Sequence, residues 1–324
     1  MKYLRLDSLD PYLNLAIEEY MFDYEQDSVM MLWQNQPCVV VGKNQNIRAE
    51  VDTAALSSLG ILPVRRITGG GAVYHDGGNI NYTFISHKGG EGIDFTSFSA
   101  PIIDALASLG ITISLSGRND LCLPDGRKVS GNAQCVKGNR ILHHGTLLFD
   151  ADLGILGKIL TPDEEKLKSK AVRSTSSRVA NLSELLPNIN SARELMDIIE
   201  DYIIKTMHAE VADVPSCEKI KVLRERNSSS EWLYPIRGIG AEYTIMKKKR
   251  YPFGSVEVLM SVVGERIENI KIGGDFFGTA DISELEKLLL GKAISELCGV
   301  LDDDAVGTSI SGMSAGELIS LLEN

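Results

Sequence analysis

Two hydrophobic periods alternate along the first half of the chain. Residues 3–7 predict a short strand. Asp10 then stands as a helix cap, with Pro11 at the first helical position and Leu13, Ile17, Tyr20, Met21 and Tyr24 at helical spacing. "VMMLW" (29–33) and "CVVVG" (38–42) predict paired strands. Thr53 to Leu59 predicts a short helix closed by Gly60, and "ILPVRR" (61–66) a strand running into three glycines. Beyond them Ala72–His75 and Ile80–Ser86 predict a hairpin turned by Asp76-Gly77-Gly78-Asn79. A helix around 100–109 stops at Gly110, and "ISLSGRNDLCL", "KVSGNAQCV" and "RILHHGTLLF" predict a three-stranded meander. Helical and loop segments fill 151–208.

Ser, Gly and Pro collect in "NSSSEWLYPIRGIG", followed by "KKKR" at 247–250, and mark a break between about 210 and 245. Two domains are expected, 1–240 and 245–324. The second predicts strands at 254–263 and 265–272 joined across Gly264-Glu265, then helices whose starts, Ser283-x-x-Glu286 and Ser314-x-x-Glu317, fit capping boxes. Strands that pair mostly with their sequence neighbours, with helices inserted in clusters, predict an α+β class. Mixed, mostly antiparallel sheets with flanking helices are expected, plus a small α+β C-terminal domain.

The 324 residues are 44% hydrophobic and 24% charged, a globular composition. A net charge of −11 argues against a general binder of nucleic acid or membrane surface. The five cysteines (Cys38, Cys122, Cys135, Cys217, Cys298) are scattered without a C-x-x-C, so they signal neither a disulfide framework nor a zinc site. No signal-peptide pattern and no bilayer-length apolar run is present, so a cytoplasmic protein is expected, and nothing demands more than a monomer.

Gly69, Gly70 and Gly71 lie in "RRITGGGAVYHDGGNINYTF" (65–84). Each costs a regular element about 0.5–1 kcal/mol relative to alanine, which a positive φ or close approach of a ligand offsets. No Gly-Lys-Ser/Thr follows and the next element is a strand, which excludes a P-loop and a dinucleotide fingerprint. A glycine nest can still offer N–H groups to phosphate or carboxylate. Arg65 and Arg66 point to opposite strand faces, so one reaches the glycines while the other stays out; a structural turn beside a solvated arginine pair is the equal alternative.

In "GRKVSGNAQ" (126–134), alternation puts Lys128, Ser130, Asn132 and Gln134 on a polar face. Val129, Gly131, Ala133 and Cys135 fall on a small, apolar one. That pattern suits a cavity roof, against the plainer reading of a solvated lysine. "GRND" (117–120) offers Asn119 and Asp120 either as oxygen ligands for Mg²⁺ or as turn residues. His143 and His144 face opposite sides with no third ligand spaced nearby, so no metal site is read there, and at least one is expected to pack.

Taken together, "RRITGGGAVYHDGGNINYTF", "SGRNDL", "RKVSGNAQ" and "HHGTLLF", in that order, resemble the lipoate–protein ligase A family. "AVRSTSSRVANLSELLP" (171–187) adds to the likeness, and "SSSEWLYP" and "GGDFF" (273–277) extend it loosely to an accessory domain. The resemblance implies a fold shared with biotin–protein ligases and the class II synthetase core. It implies activation of lipoate with ATP and Mg²⁺ to lipoyl-AMP, then transfer to a lysine of a lipoyl domain. The acceptors would be 2-oxo acid dehydrogenase E2 subunits or the glycine-cleavage H protein.

Position by position, the resemblance assigns Arg66, Gly71, Ala72, Val73, Tyr74, Asn119 and Asp120 to ATP, with Asp120 near Mg²⁺. It assigns Gly70 and His143 to lipoate, and Lys128 to both substrates as the catalytic residue. The biotin-ligase arginine–glycine motif is absent, which counts against biotin. Octanoate is expected to enter the same apolar slot, because a modest shape difference there is worth only ~1–3 kcal/mol.

Lys166, Lys168, Lys170, Arg173 and Arg178 are candidates for ATP or an acidic acceptor surface, or form a solvated face. Residues 245–324 are expected to cover the site and rotate away between the two half-reactions. Two rivals stand beside this reading. One is an octanoyl or lipoyl transferase using a cysteine thioester without ATP, in which parity turns Cys135 away from Lys128 and leaves Cys122 open. The other is a non-catalytic protein that binds lipoyl domains.

Overall fold

The computed structural model describes residues 1–87, 93–160, 178–236, 240 and 242–323. Lys166, Lys168, Lys170 and Arg173 lie outside them.

Eight strands form the main sheet: β1 (Lys2–Arg5), β2 (Val29–Trp33), β6 (Asn79–His87), β7 (Ser114–Ser116), β8 (Asp120–Cys122), β9 (Lys128–Lys137), β10 (Arg140–Leu148) and β11 (Glu210–Val211). Their order is β11-β1-β2-β6-β10-β9-β8-β7. β1 runs parallel to β11 and β2, and every other neighbour is antiparallel. A smaller sheet, β4-β3-β5, consists of β3 (Cys38–Val41), β4 (Leu62–Arg65) and β5 (Val73–His75). The class is α+β, as expected.

Asp10 caps α1 (Pro11–Tyr24), its carboxylate accepting from the N–H groups of Tyr12 and Leu13. The helix buries Leu15, Ile17, Met21 and Phe22 against Met31, Trp33, Ile85 and Leu142 on one sheet face. α2 (Phe95–Ser108) and α3 (Ala192–Met207) pack Ile102, Leu106, Leu195 and Ile199 on the other, against Met30, Leu32, Ile80 and Tyr82. The main sheet is thus covered on both faces, and its strand β2 reads as an unbroken apolar run.

That double burial explains where the expected pairings fail. β2 and β3 are buried at every position and lie in different sheets, β2 between β1 and β6, β3 between β4 and β5. Uniformly apolar strands carry no mark of which neighbour they pair with. β5 and β6 likewise form no hairpin, for β5 pairs with β3 while β6 pairs with β2 and β10. The glycine turn between them passes from one sheet to the other. Gly78 accepts from the N–H groups of Phe149 and Asp150, and a Cβ on it would meet the Asp150 carbonyl oxygen at 1.9 Å.

A separate core is drawn from residues 251–322. It lies between the sheet β12 (Ile245–Tyr251), β13 (Gly254–Val263), β14 (Arg266–Gly274) and helices that include α5 (Ile282–Leu289) and α6 (Ala315–Glu323). Gly264 and Glu265 both take positive φ at the β13–β14 turn, the geometry of a two-residue hairpin. Ser314 and Glu317 exchange the two capping-box hydrogen bonds. The other expected box is absent. Asp281 caps α5, while Glu286 turns inward to accept from the Ile272 N–H and Lys271.

Arg65 does not stay out in solvent. It is 2% exposed, and its guanidinium donates to the carbonyls of Gly42, Lys43, Gln45, Trp232 and Leu233 at 2.6–2.9 Å. Arg65→Met is expected to orphan these carbonyls and cost about 3 kcal/mol, read by urea denaturation; a loss below ~1 kcal/mol would mean water replaces the side chain.

Candidate active site

The three glycines have three different reasons. A Cβ on Gly69 would lie 2.3 Å from the Phe276 carbonyl oxygen, so the second unit's backbone packs directly on it. Gly70 has φ +88° and donates to Phe276 O at 3.2 Å, and a Cβ on it would stand 3.0 Å from the Phe277 ring. Gly71 has open space where a side chain would be and lines a cavity. The close approach that the glycines permit at 69 and 70 is therefore to protein, and of the three only Gly71 borders the cavity beside Lys128.

Arg66 organises this loop from beneath. Its Nε donates to Thr68 Oγ1 (2.9 Å), Nη1 to Val40 O (3.1 Å), and Nη2 to Gly69 O (2.7 Å) and Gly71 O (2.8 Å). Burial lowers its pKa, and these oxygens compensate the buried charge. Thr68 passes the connection to His144 Nε2 (2.8 Å), whose Nδ1 meets the buried Glu18 carboxylate at 2.9 Å.

Lys128 is placed by an irregularity that alternation cannot foresee. Leu121 pairs with Ser130 but Cys122 pairs with Lys128, so Val129 is an extra residue and the register shifts. Lys128 consequently shares a face with Gly131, whose absent Cβ would lie 2.7 Å from Nζ. Ser130, Asn132 and Gln134 turn to the opposite, buried face. Nζ pairs with Asp120 Oδ1 at 2.8 Å across the neighbouring strand, both side chains about one-third exposed.

A cavity of about 250 Å³ opens beside this pair. Leu15, Trp33, Val40 and Val73, members of one hydrophobic cluster, give it an apolar part. Arg118, Asn119, Asp120 and Lys128 give it a polar part. A second cavity, about 450 Å³, is lined by Tyr74, Cys122, Ala151 and Arg178, and again by Asp120 and Lys128. The ion pair is thus common to both cavities.

Of the residues singled out from sequence, Arg66, Gly71, Ala72, Val73, Asn119, Asp120 and Lys128 meet at the first cavity, and Tyr74 at the second. Asn119 is held by β9, its carbonyl accepting from the Asn132 backbone N–H at 2.9 Å. Gly70 lies behind the loop, under Phe277. His143 does not join them. It is fully buried against Phe98 and Tyr82, bonded to Gln134 and Asn132, and burial holds its pKa down to about 3.

The lining histidine of that pair is His144. Sequence reasoning also passed over His75, Trp33, Arg118 and Asp275. The Val73–His75 alternation was a usable signal for the first of these. Asp275 belongs to the second unit and carried none. Arg118 donates to the carbonyls of Phe253 and Asp275 and lies 4.5 Å from the Phe277 ring centroid.

This architecture is that of a lipoyl ligase. The lipoyl protein ligase A/B catalytic domain family matches residues 10–204, and the bacterial lipoate protein ligase C-terminus matches 241–322. The chain belongs to the lipoyl protein ligase A/B family. It is 40% identical over 294 residues to lipoate-protein ligase LplJ of Bacillus subtilis, covering 87% of each chain. Its fold resembles that of LipL1 of P. falciparum in complex with lipoate (TM-score 0.78, 24% identity, 99% and 98% of the two chains). It also resembles a bi-partite lipoate protein ligase from Thermoplasma acidophilum solved with its lipoyl domain (TM-score 0.62, 26% identity, 74% and 98%).

Two outcomes are expected. Gly131→Ala pushes the Lys128 ammonium aside while the strand persists, so turnover falls at least tenfold with thermal unfolding shifted by only a few degrees; unchanged turnover would mean Nζ can relocate. For His143 the folded pKa, about 3, lies below the ordinary 6.5, so the unfolded chain binds the proton first and stability falls as pH drops from about 6.5 towards 3. Urea titrations at pH 7, 6 and 5 are expected to show this slope, reduced in His143→Gln by up to ~1.4 kcal/mol per pH unit.

Proposed function

We propose that the chain is an ATP-dependent lipoate–protein ligase, joining lipoate to a lysine of a lipoyl domain through lipoyl-AMP. The observation that carries this reading is the Lys128–Asp120 pair, which lines both cavities. A fatty acid-like substrate lies in the first with its tail towards Leu15, Trp33 and Val40 and its carboxylate at Lys128. The nucleotide enters the second, beside Tyr74, with its α-phosphate at the same ammonium.

The chemistry demands such a meeting point. A carboxylate and an α-phosphate repel each other and must be held in line, and one cation bridging both offsets the charge at the moment of attack. The carboxylate oxygen bonds to the α-phosphorus and pyrophosphate departs. The acceptor's neutral amine then attacks the acyl carbon, AMP departs with the anhydride oxygen, and the nitrogen's surplus proton passes to solvent. Lys128 is well suited because its pairing with Asp120 is only partly buried, so exchanging that partner for substrate anions costs little.

Asp120 also suits Mg²⁺, which takes one or two carboxylates and leaves its other positions to phosphate oxygen and water. Bound there, the ion would supply charge neutralisation to the phosphates. Gly71, Ala72 and Val73 give the acyl phosphate a backbone wall, and Arg66 fixes that wall.

The thioester route is disfavoured. Cys122 is 8% exposed, and burial and the Asp120 carboxylate raise its pKa. Burial pushes the Cys135 thiol up to about 11. The shifted register puts Cys135 on the face of Lys128 after all, but seven residues further on, roughly 20 Å along the strand.

The deciding assay is lipoate-dependent exchange of pyrophosphate into ATP with Mg²⁺ and no acceptor present. Exchange is expected, reduced 10²–10³-fold in Lys128→Ala, as for loss of a preorganised charge donor. A Cys122→Ser, Cys135→Ser double variant is expected to keep exchange. Near-normal exchange in a folded Lys128→Ala protein would remove Lys128 from its role, and none in the wild type would overturn adenylation.

A further inference from the structure

His75 carries a hydrogen-bond donor that nothing among the described residues accepts. The residue is 4% exposed, and Nε2 is buried without a partner. Which ring nitrogen bears the proton follows from three connected amides. The Asn14 amide nitrogen donates to the carbonyls of Ser8 and Gln34, both at 2.9 Å, which fixes its orientation because carbonyls only accept. The same nitrogen faces Asn35 Oδ1 at 3.0 Å, so Asn35 must turn its own amide nitrogen away. That nitrogen lies 3.1 Å from His75 Nδ1 and donates to it. Nδ1 is therefore the acceptor and Nε2 carries the hydrogen. Burial keeps the ring neutral, with a pKa of about 3, so the tautomer does not change near neutral pH.

The ring lines the first cavity, as do the apolar residues Trp33, Leu15 and Val73. A buried N–H without a partner is destabilising until an acceptor arrives. An all-hydrocarbon tail supplies none, whereas a sulfur atom in the tail is a weak, soft acceptor of suitable size. We infer that the Nε2–H of His75, its tautomer held by Asn35, is the specificity donor that makes this slot prefer a sulfur-bearing tail, the dithiolane of lipoate, over the hydrocarbon tail of octanoate. This rests on the reading of the cavity as the acyl slot, and it narrows the expectation that both acids enter alike. His75 selects substrate and takes no part in the bond-making steps.

The test is the ratio of dissociation constants for octanoate and lipoate, by calorimetry without ATP, in wild type, His75→Phe and His75→Gln. Phenylalanine keeps the bulk and removes the donor, so the preference for lipoate is expected to fall about tenfold. Glutamine keeps an amide N–H, so most of the preference is expected to remain. A ratio within twofold of wild type in His75→Phe overturns the inference, as does an equal loss in His75→Gln, which would indicate shape instead of the donor. Wild-type protein that binds neither acid would overturn the acyl slot itself, and with it this inference. Wild-type protein that binds lipoate yet exchanges no pyrophosphate would overturn only adenylation.

Discussion

A buried guanidinium with no acidic side chain paired to it among the described residues sets the geometry around which the site is assembled. Arg66 gives its protons to Val40, Thr68, Gly69 and Gly71. It therefore holds the glycine loop in one shape and ties that loop to strand β3. Its neighbour Arg65 does the same for the 42–45 segment and for Trp232 and Leu233. Arg65 ends β4 and Arg66 follows it, and the two side chains reach different carbonyls, so the pair fastens the end of the strand to two segments. Such charges are stable in the interior only where several oxygens converge on them. The loop must keep its shape for the arginine to remain buried, and the arginine keeps the loop in shape.

On that platform the second element is a local defect in a strand. The extra residue at Val129 rotates Lys128 out of the buried face and over Gly131, within reach of Asp120. Without the shift, regular alternation would send the ammonium into the face where Tyr82, Ser130, Asn132 and His143 form a closed hydrogen-bonded layer. The bulge thus separates two tasks along one strand: Ser130, Asn132 and Gln134 support the core, and Lys128 serves the cavities. The second unit closes the arrangement from outside. Phe276 and Phe277 rest on Gly69 and Gly70, Arg118 is held by Phe253 and Asp275, and Lys43 pairs with Asp281 at 2.6 Å.

Some of these contacts draw on groups that an anionic substrate would also seek. The Gly70 N–H is taken by Phe276 O, and the Arg118 guanidinium by two carbonyls and an aromatic face. Neutral carbonyls hold a cation less strongly than a phosphate does. The second unit is thereby joined to the first by contacts that an anion would compete for.

What the sequence by itself determined was whatever depends on neighbouring residues. Helix α1 with its Asp10 cap, the stops at Gly60 and Gly110, the β13–β14 turn and the α+β class all follow from short-range patterns. The order of the four motifs was enough to indicate the family, because each motif is a local run. Tertiary structure decided the rest, for reasons that lie between segments. Strands apolar on both faces carry no record of their partners, so β2 and β3 went to different sheets, and the turn joining β5 to β6 did not reveal that it crosses from one sheet to the other. Alternation assumes an unbroken register, so it put Lys128 on the wrong face and could not tell which of His143 and His144 met the cavity. The glycines were legible as a place of close approach, but that what approaches Gly69 and Gly70 is the protein's own backbone and ring could be decided only by folding residues two hundred positions apart onto one another.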